Sequence, residues 1–189
     1  MSINTNLLEL GPANVYIDED GDGVAELFLG AMGDELAITM ATEAVALTAA
    51  QTGTVPQAKV VTGGSFRVTI PFKEIKKENF SRAFPNANFV EGGGGSRVDF
   101  VPQVGLNLRT IAKKMKIVKV FGLVESTDPD DIFTIPLASP ADTEVVVPFS
   151  PTEQRVITAT FEAWPQVEAD PPHGFVQNRW AFLGDEFTT

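Results

Sequence analysis

The residues with the clearest capacity for chemistry are three aspartates in an acidic turn. In Asp18-Glu19-Asp20-Gly21-Asp22-Gly23 a carboxylate stands at every second position and glycine follows, as in the first half of an EF-hand calcium loop. The twelfth position of such a loop needs a bidentate glutamate, but here it is Leu29, and no flanking helix is predicted. We therefore expect a solvated hairpin turn and no metal site, with Asp18, Asp20 and Asp22 as the candidates if calcium binds.

Other reactive groups are few. The chain has no cysteine and one histidine, which excludes disulfides, thiolate metal sites, cysteine nucleophiles and multi-histidine sites. A Ser–His–Asp triad around His173 stays open, but His173 lies in a Pro-Pro-His-Gly turn and no Gly-x-Ser-x-Gly element presents a serine. Asp130-Asp131, like Asp18 and Asp20, lie in predicted loops and give little support for a glycosidase pair. We expect neither an enzyme nor a cofactor.

A glycine-rich stretch at residues 91–96 could cradle an anion through its backbone N–H groups. Phosphate loops, however, require Gly-Lys-Ser/Thr at the start of a helix, and the sequence that follows here is Arg97-Val98-Asp99-Phe100, which is predicted to be extended. We expect a flexible loop at residues 91–96.

Charge is segregated along the chain. Residues 1–58 carry nine acids and no base (−9), residues 59–119 twelve bases and four acids (+8), and residues 120–189 twelve acids and two bases (−10), giving the net charge of −11. This balance argues against a protein built to grip DNA or an anionic membrane. The three parts could be solvated, could neutralise one another within one fold, or could pair between neighbouring subunits. The basic run Lys113, Lys114, Lys116 and Lys119 has one nearby aromatic, Phe121, and is predicted to be a solvated or subunit-facing strand.

Alternating apolar and polar residues predict a mainly β fold, a β-sandwich or barrel of about nine strands with one short packed α-helix and long loops. The predicted strands lie at residues 14–17, 24–29, 36–40, 45–47, 66–72, 117–121, 132–137, 144–149 and 155–163. The helix carries Ile75, Phe80, Ala83 and Phe84 on one side and ends at Phe84, because Pro85 disfavours helical geometry in the residue before it. A short helical turn is predicted at residues 108–113, and residues 50–64 are predicted to be a long loop.

Length and composition indicate one domain. The chain has 189 residues with 13 prolines and 16 glycines, which suits a strand-and-turn protein better than a helical bundle. Residues 1–10 lack the pattern of a signal peptide, and no run of 18 apolar residues occurs. We expect a soluble chain.

The succession of segments resembles phage tail tube proteins, also called major tail proteins. Members start with a short apolar segment and Gly-Pro before a strand, as residues 7–16 do here, and continue with a strand like residues 36–45. A strand like residues 62–72 then leads into a short helix ending in proline, as at residues 74–85, and a late strand like residues 155–165 completes the pattern. The acidic turn, residues 91–96 and residues 166–189 lie outside the resemblance.

The resemblance implies a single tail-tube-like β domain over residues 1–189, without catalytic residues. Copies would form stacked rings, hexameric in the family, making a tube that conducts DNA during ejection without binding it tightly. Implied partners are the tape-measure protein, the tail terminator, distal tail proteins and, in a contractile tail, a sheath. The implied location is the virion tail, assembled in the host cytoplasm.

Ring closure requires one surface of a copy to meet a different surface of the next. Segregated charge would give such a contact its register, so the subunit interface candidates are Lys59, Lys113, Lys114, Lys116 and Lys119. Residues 1–12 are expected to be an N-terminal arm, residues 50–64 a ring-to-ring loop and residues 165–189 a C-terminal extension. The alternatives are another virion β-protein, such as a tail terminator or capsid decoration protein, and a monomeric calcium-dependent binding module that uses residues 18–23.

Overall fold

The fold is built around an open antiparallel sheet. The computed structural model describes residues 12–30, 35–48, 56–73, 76–141, 156–167 and 178–184. Its strands are β1 (Ala13–Ile17), β2 (Leu27–Phe28), β3 (Ala37–Thr48), β4 (Pro56–Phe72), β5 (Ala87–Gly92), β6 (Gly95–Phe100), β7 (Lys113–Phe121), β8 (Val124–Glu125), β9 (Ile132–Pro140), β10 (Ile157–Ala163), β11 (Gln166–Val167), β12 (Asn178–Arg179) and β13 (Phe182–Leu183).

The main sheet has the order β2-β1-β7-β9-β10-β4-β3, with β13 also paired to β9 and β8 to β7. The strands β5 and β6 form one separate hairpin, and β11 pairs with β12 in another. All of these pairs are antiparallel, and the described strands do not close into a barrel. The prediction of a mainly β fold with one short helix is confirmed for the described part of the chain.

One face of the sheet carries the hydrophobic core. Side chains that stand opposite each other across neighbouring strands share this face, as Val15 does with Ile117 and Phe161 with Val68. In β10 burial alternates along the strand, with Ile157, Ala159, Phe161 and Ala163 buried, as the sequence pattern predicts. Alternation follows from the two-residue period of a strand, so the core face can be identified from sequence wherever that period is unbroken.

The helix α1 (Lys77–Ala83) covers one end of this core. The ring of Phe80 packs against Phe84 at a centroid distance of 5.8 Å and against Phe100 of β6 at 6.3 Å. The buried side-chain amide of Asn79 donates to the carbonyl oxygen of Leu29 at 2.9 Å, which ties the helix to the residues after β2. The helix ends where predicted, since Phe84 is already extended before Pro85. The predicted helical turn is also present, as a 3-10 helix over Leu108–Ile111.

The prediction of a long loop at residues 50–64 is wrong over residues 56–64, which form the first half of β4. The strand β3 is likewise one strand where the pattern predicted two, at residues 36–40 and 45–47. The register between β3 and β4 shifts at Glu43/Ala44, where Thr62 has no partner, so the two-residue period of β4 is interrupted there. The adjacent Val60 and Val61 also break the alternation of apolar and polar residues in the sequence. The glycine pair Gly63 and Gly64 makes the strand still harder to predict from sequence, because glycine weakens a strand interior and is uncommon there.

The glycine-rich stretch is a hairpin turn, which corrects the prediction of a flexible loop there. The strands β5 and β6 run to Gly92 and from Gly95, which are paired, so that Gly93-Gly94 forms a two-residue turn. The residue after this turn, Gly95, has a φ of +136°, a conformation that glycine adopts more readily than other residues. The predicted strand at residues 144–149 and residues 1–11 of the expected N-terminal arm lie outside the described residues.

Candidate assembly surface

The most prominent surface feature is a projecting hairpin, here called the β3–β4 arm: residues 41–48 of β3 paired with residues 56–65 of β4. The inner half of β4 is buried in the core, with Phe66 only 2% exposed, whereas the side chains of residues 58–62 are exposed. On β3 the side chains of residues 39–47 are all exposed. At the usual rise of a strand, the arm extends roughly 25 Å from the body of the sheet.

The arm carries apolar side chains in the exposed part. They lie on both of its strands: Val45, Leu47, Val60 and Val61, with Met40 at the base. Val45 stands opposite Val60 across the ladder, so the two form one exposed apolar pair. An isolated hairpin is marginally stable in water, and a contiguous exposed apolar surface of this kind marks a site of interaction.

The free edge of β3 adds a second property to the arm. The strand is the last of the main sheet, and no described strand pairs with its outer edge. Such an edge presents unpaired backbone N–H and C=O groups that another strand can complete. The arm therefore offers both side-chain and backbone groups to a partner.

The lysines of β7 contact groups of their own chain, and for Lys113 and Lys114 these groups are backbone carbonyl oxygens. The ammonium of Lys113 donates to the carbonyl oxygen of Glu19, and that of Lys114 donates to the carbonyl oxygen of Gly23 at 2.9 Å. Lys119 lies 3.8 Å from the carboxylate of Asp131 and over the ring of Phe121. The oppositely charged parts of the sequence thus meet within one subunit.

The position of these lysines matters for the interface prediction. They lie on an interior strand of the sheet and are partly buried, whereas Lys59, the remaining interface candidate, is exposed on the β3–β4 arm opposite Ala46. A role of any of the five in subunit contacts stays a prediction. The structure brings four of them together on β7 and places Lys59 on the arm.

The acidic turn is organised around Asp18, which is 4% exposed. Its carboxylate accepts backbone N–H groups of Gly21 at 2.7 Å and Gly23 at 2.9 Å. Burial raises the pKa of Asp18, but these hydrogen bonds, a further one with Asp20 and the charge of Lys113 outweigh it and lower the pKa overall. Asp18 acts as the internal brace of the hairpin turn.

The same three aspartates could supply ligands to a metal. One carboxylate oxygen from each of Asp18, Asp20 and Asp22 lies within 4.8 Å of the others. The turn runs between two strands, β1 and β2, and not between helices, in line with the predicted hairpin. Oxygen ligands in this arrangement suit a hard cation such as calcium.

Replacing Asp18 by Asn is expected to destabilise the fold by about 1–3 kcal/mol. The amide has one oxygen instead of two, so it cannot accept both backbone N–H groups, and it is neutral, so Lys113 loses its charge partner. The matched control is Asp20→Asn in the same turn, whose exposed side chain accepts a 3.3 Å bond from Asp22 N–H and can keep its hydrogen bond with Asp18 as an amide. We expect the control to stay within about 0.5 kcal/mol of the wild type. Urea unfolding at pH 7 measures both, and equal losses would contradict the bracing role.

A second polar cluster joins β1 to β8 across β7. The side chains of Asn14 and Tyr16 both donate to the same carboxylate oxygen of Glu125. These two bonds lower the pKa of Glu125, and the charge of Lys116 acts in the same direction against burial. Burial raises the pKa of Tyr16, and Glu125 raises it further. Sequence analysis missed this cluster, although Asn14 and Tyr16 stand two apart on one face of a predicted strand.

Acidification is expected to remove the contribution of Glu125. Because its pKa is lowered in the folded state, the stabilisation is complete above the ordinary value of 4.5 and is lost as the pH falls through the lowered value. Glu125→Gln should therefore cost about 1–2 kcal/mol at pH 7, and the cost should shrink as the pH falls through the lowered pKa and the wild type becomes protonated too. Urea midpoints from pH 7 to pH 3 test this, and a gap between the two proteins that does not shrink would contradict it.

The remaining candidates have structural roles or lie outside the described residues. Asp131 accepts the hydroxyl of Ser126 at 2.6 Å in a 3-10 turn over Pro129–Asp131, while the side chain of Asp128 accepts the backbone N–H of Asp130. His173 is not among the described residues. None of the helices in the part of the chain that the structure describes has the length and apolar composition of a membrane span. Neither a protein-family model nor a curated protein sequence matches the chain.

Proposed function

We propose that the chain is a structural, non-enzymatic subunit that self-assembles into stacked rings forming the tube of a phage tail. The observation that carries the proposal is the β3–β4 arm, a long projecting hairpin with exposed apolar side chains and a free strand edge. On a protein that stays monomeric, a surface of this kind promotes aggregation. On a subunit that assembles, the same surface can form the contact with a neighbouring subunit. The segment at residues 50–64, expected from sequence to reach the next ring as a loop, contributes to this arm as a strand over its described part, residues 56–64.

The charge of the chain fits a conduit for DNA. The net charge is −11, which is compatible with a bore that repels phosphates. Each contact of a lysine or arginine with a phosphate adds salt-dependent affinity for DNA, and such contacts would slow DNA as it passes through the tube. In the described structure the lysines of β7 are already engaged by groups of their own chain, which supports a bore that passes DNA without retaining it.

Electron microscopy of the concentrated protein, together with sedimentation velocity, tests the proposal. We expect hollow rings or tubes of uniform diameter and a steep dependence of assembly on concentration. A single ring that never stacks would favour the tail terminator, and a particle that stays monomeric at every concentration would contradict the proposal. Retention of duplex DNA at physiological salt would contradict the conduit.

A second candidate function rests on the clustered carboxylates of Asp18, Asp20 and Asp22. A calcium-dependent binding module would be a monomer whose melting temperature rises with calcium, by mass action on the folded state. Titration with calcium and with magnesium, comparing the wild type with Asp20→Asn and Asp22→Asn, separates this function from the tube. Stabilisation by calcium that both variants abolish, in a protein that does not assemble, would select the module.

A further inference from the structure

A cavity of about 330 Å³ opens at one end of the main sheet, under the residues that follow α1. Most of its wall is apolar: Ile17, Phe84, Pro85, Leu106, Ile111 and Pro140. Its polar rim includes Arg82, Lys113 and Glu19, of which Arg82 and Glu19 are joined at 2.6 Å. The volume lies at the lower end of the range for ligand pockets and has room for more than one aliphatic side chain.

An apolar turn projects from the opposite end of the sheet. The turn between β7 and β8 is Phe121-Gly122-Leu123-Val124, in which Leu123 is 100% exposed and Phe121 and Val124 are exposed as well. The pairing of Phe121 with Val124 and a 2.9 Å bond from Ser126 N–H to the carbonyl oxygen of Lys119 fix the turn. The fold itself gains nothing from Leu123, since this side chain is exposed to solvent along its whole length.

The strand β7 places these two features at its two ends. Lys113, its first residue, lines the cavity, and Phe121, its last, starts the turn. The ends of a nine-residue strand are roughly 26 Å apart. Each subunit therefore carries an apolar projection at one end and an apolar recess at the other, which is the arrangement that a head-to-tail contact between identical copies requires.

The charges around the two features are complementary. Residues 121–131 contain four acids, Glu125, Asp128, Asp130 and Asp131, and no lysine or arginine. The lining of the cavity carries Arg82 and Lys113 against Glu19, which is one net positive charge, and both bases also contact Glu19 of their own chain. Arg109 is exposed on the adjoining 3-10 helix. Opposite charge around an apolar centre fixes the orientation of two docked surfaces.

We propose that the β7–β8 turn of one copy docks into this cavity of the next copy, with Leu123 inside the apolar recess. The proposal rests on the proposed function, because it names a contact through which the subunits assemble. The partner is a second copy of this chain, since the projection, the recess and their charges all belong to one subunit and lie at opposite ends of it.

Cross-linking tests the contact directly, because the chain has no cysteine of its own. Val124→Cys places one thiol beside Leu123, and Ser81→Cys places another in the wall of the cavity with little change of volume. Mixed and treated with a short bismaleimide, the two proteins should give a dimer roughly a hundredfold faster than a control pair, because docking raises the effective concentration of the thiols from tens of micromolar to millimolar. The control pair is Val90→Cys with Ser81→Cys, since Val90 is exposed on β5 and does not line the cavity.

Leu123→Asp gives a second readout. The variant should keep the melting temperature of the wild type, because the leucine is fully exposed, but should lose assembly, while Val90→Asp keeps both. Rings or tubes without the Val124–Ser81 cross-link would overturn the docking and leave the proposed function standing. A wild type that stays monomeric would overturn both. Binding of wild-type monomer to phosphatidylcholine vesicles, abolished by Leu123→Asp, would assign the turn to a lipid surface and overturn the docking.

Discussion

The double variant Val45→Glu, Val60→Lys is expected to abolish assembly and leave a folded monomer. The two valines are exposed and stand opposite each other on the β3–β4 arm, so the substitutions remove an apolar surface while an opposite-charge pair keeps the two strands together. The net charge of the chain does not change. Substitutions at exposed positions of this kind change the free energy of unfolding by about 0.5 kcal/mol or less. We therefore expect the variant to lose the contact between subunits while its fold is kept.

Sedimentation velocity and electron microscopy measure this loss, and circular dichroism checks the monomer. The matched control is Val24→Glu with Val90→Lys, two valines of similar exposure, of which Val24 directly follows the acidic turn and Val90 lies on β5. We expect the control to assemble as the wild type does. Tubes formed by the arm variant would show that the arm is not an assembly contact, and failure of the control to form tubes would show that the loss is not specific to the arm.

The second large effect is expected at Gly64, near the base of the arm. A Cβ atom built there would lie 2.8 Å from the carbonyl oxygen of Ala41 and 2.7 Å from the ring of Trp180. The oxygen belongs to the paired backbone of β3 and cannot move without breaking the ladder. Gly64→Val is therefore expected to lower the free energy of unfolding by about 2–4 kcal/mol and to displace Trp180.

The neighbouring glycine provides the control. At Gly63 the contact of an added Cβ is the carboxylate of Glu43 at 3.2 Å, the end of a flexible side chain that can swing away. We expect Gly63→Ala to cost less than about 1 kcal/mol. Urea unfolding followed by tryptophan fluorescence compares the two, and similar losses at both positions would contradict the close approach described for Gly64.

The sequence was sufficient for the parts of the fold in which one residue period holds. The alternation in β10 and the turn between β1 and β2 could both be read from it, and so could the end of the helix before Pro85. The outer half of β4 could not, because its side chains have no core to face. Without a buried side, nothing in the residue types distinguishes such a strand from a loop.

The candidate sites show a similar division. The acidic turn was identified because its residues are adjacent in the sequence, whereas the Asn14, Tyr16 and Glu125 cluster joins groups more than a hundred positions apart. The lysines of β7 were recognised as a charged run, but their partners, the carbonyl oxygens of Glu19 and Gly23, are backbone atoms with no signature in the residue types. Pairing across distant strands is a property of topology, which local patterns do not encode.

The place of β10 in the sheet has a consequence for the order of events during synthesis. Through this strand alone, among the described pairings of the main sheet, β3 and β4 are joined to β9 and the strands beyond it. A ribosome-bound chain that ends before residue 157 already contains both strands of the β3–β4 hairpin. It still lacks β10, the strand that joins this hairpin to β9 and the rest of the main sheet. More than eighty residues, from Phe72 to Ile157, are translated before β10 can pair with the apolar inner half of β4. The β3–β4 hairpin is therefore anchored to the rest of the main sheet only after translation has passed β10.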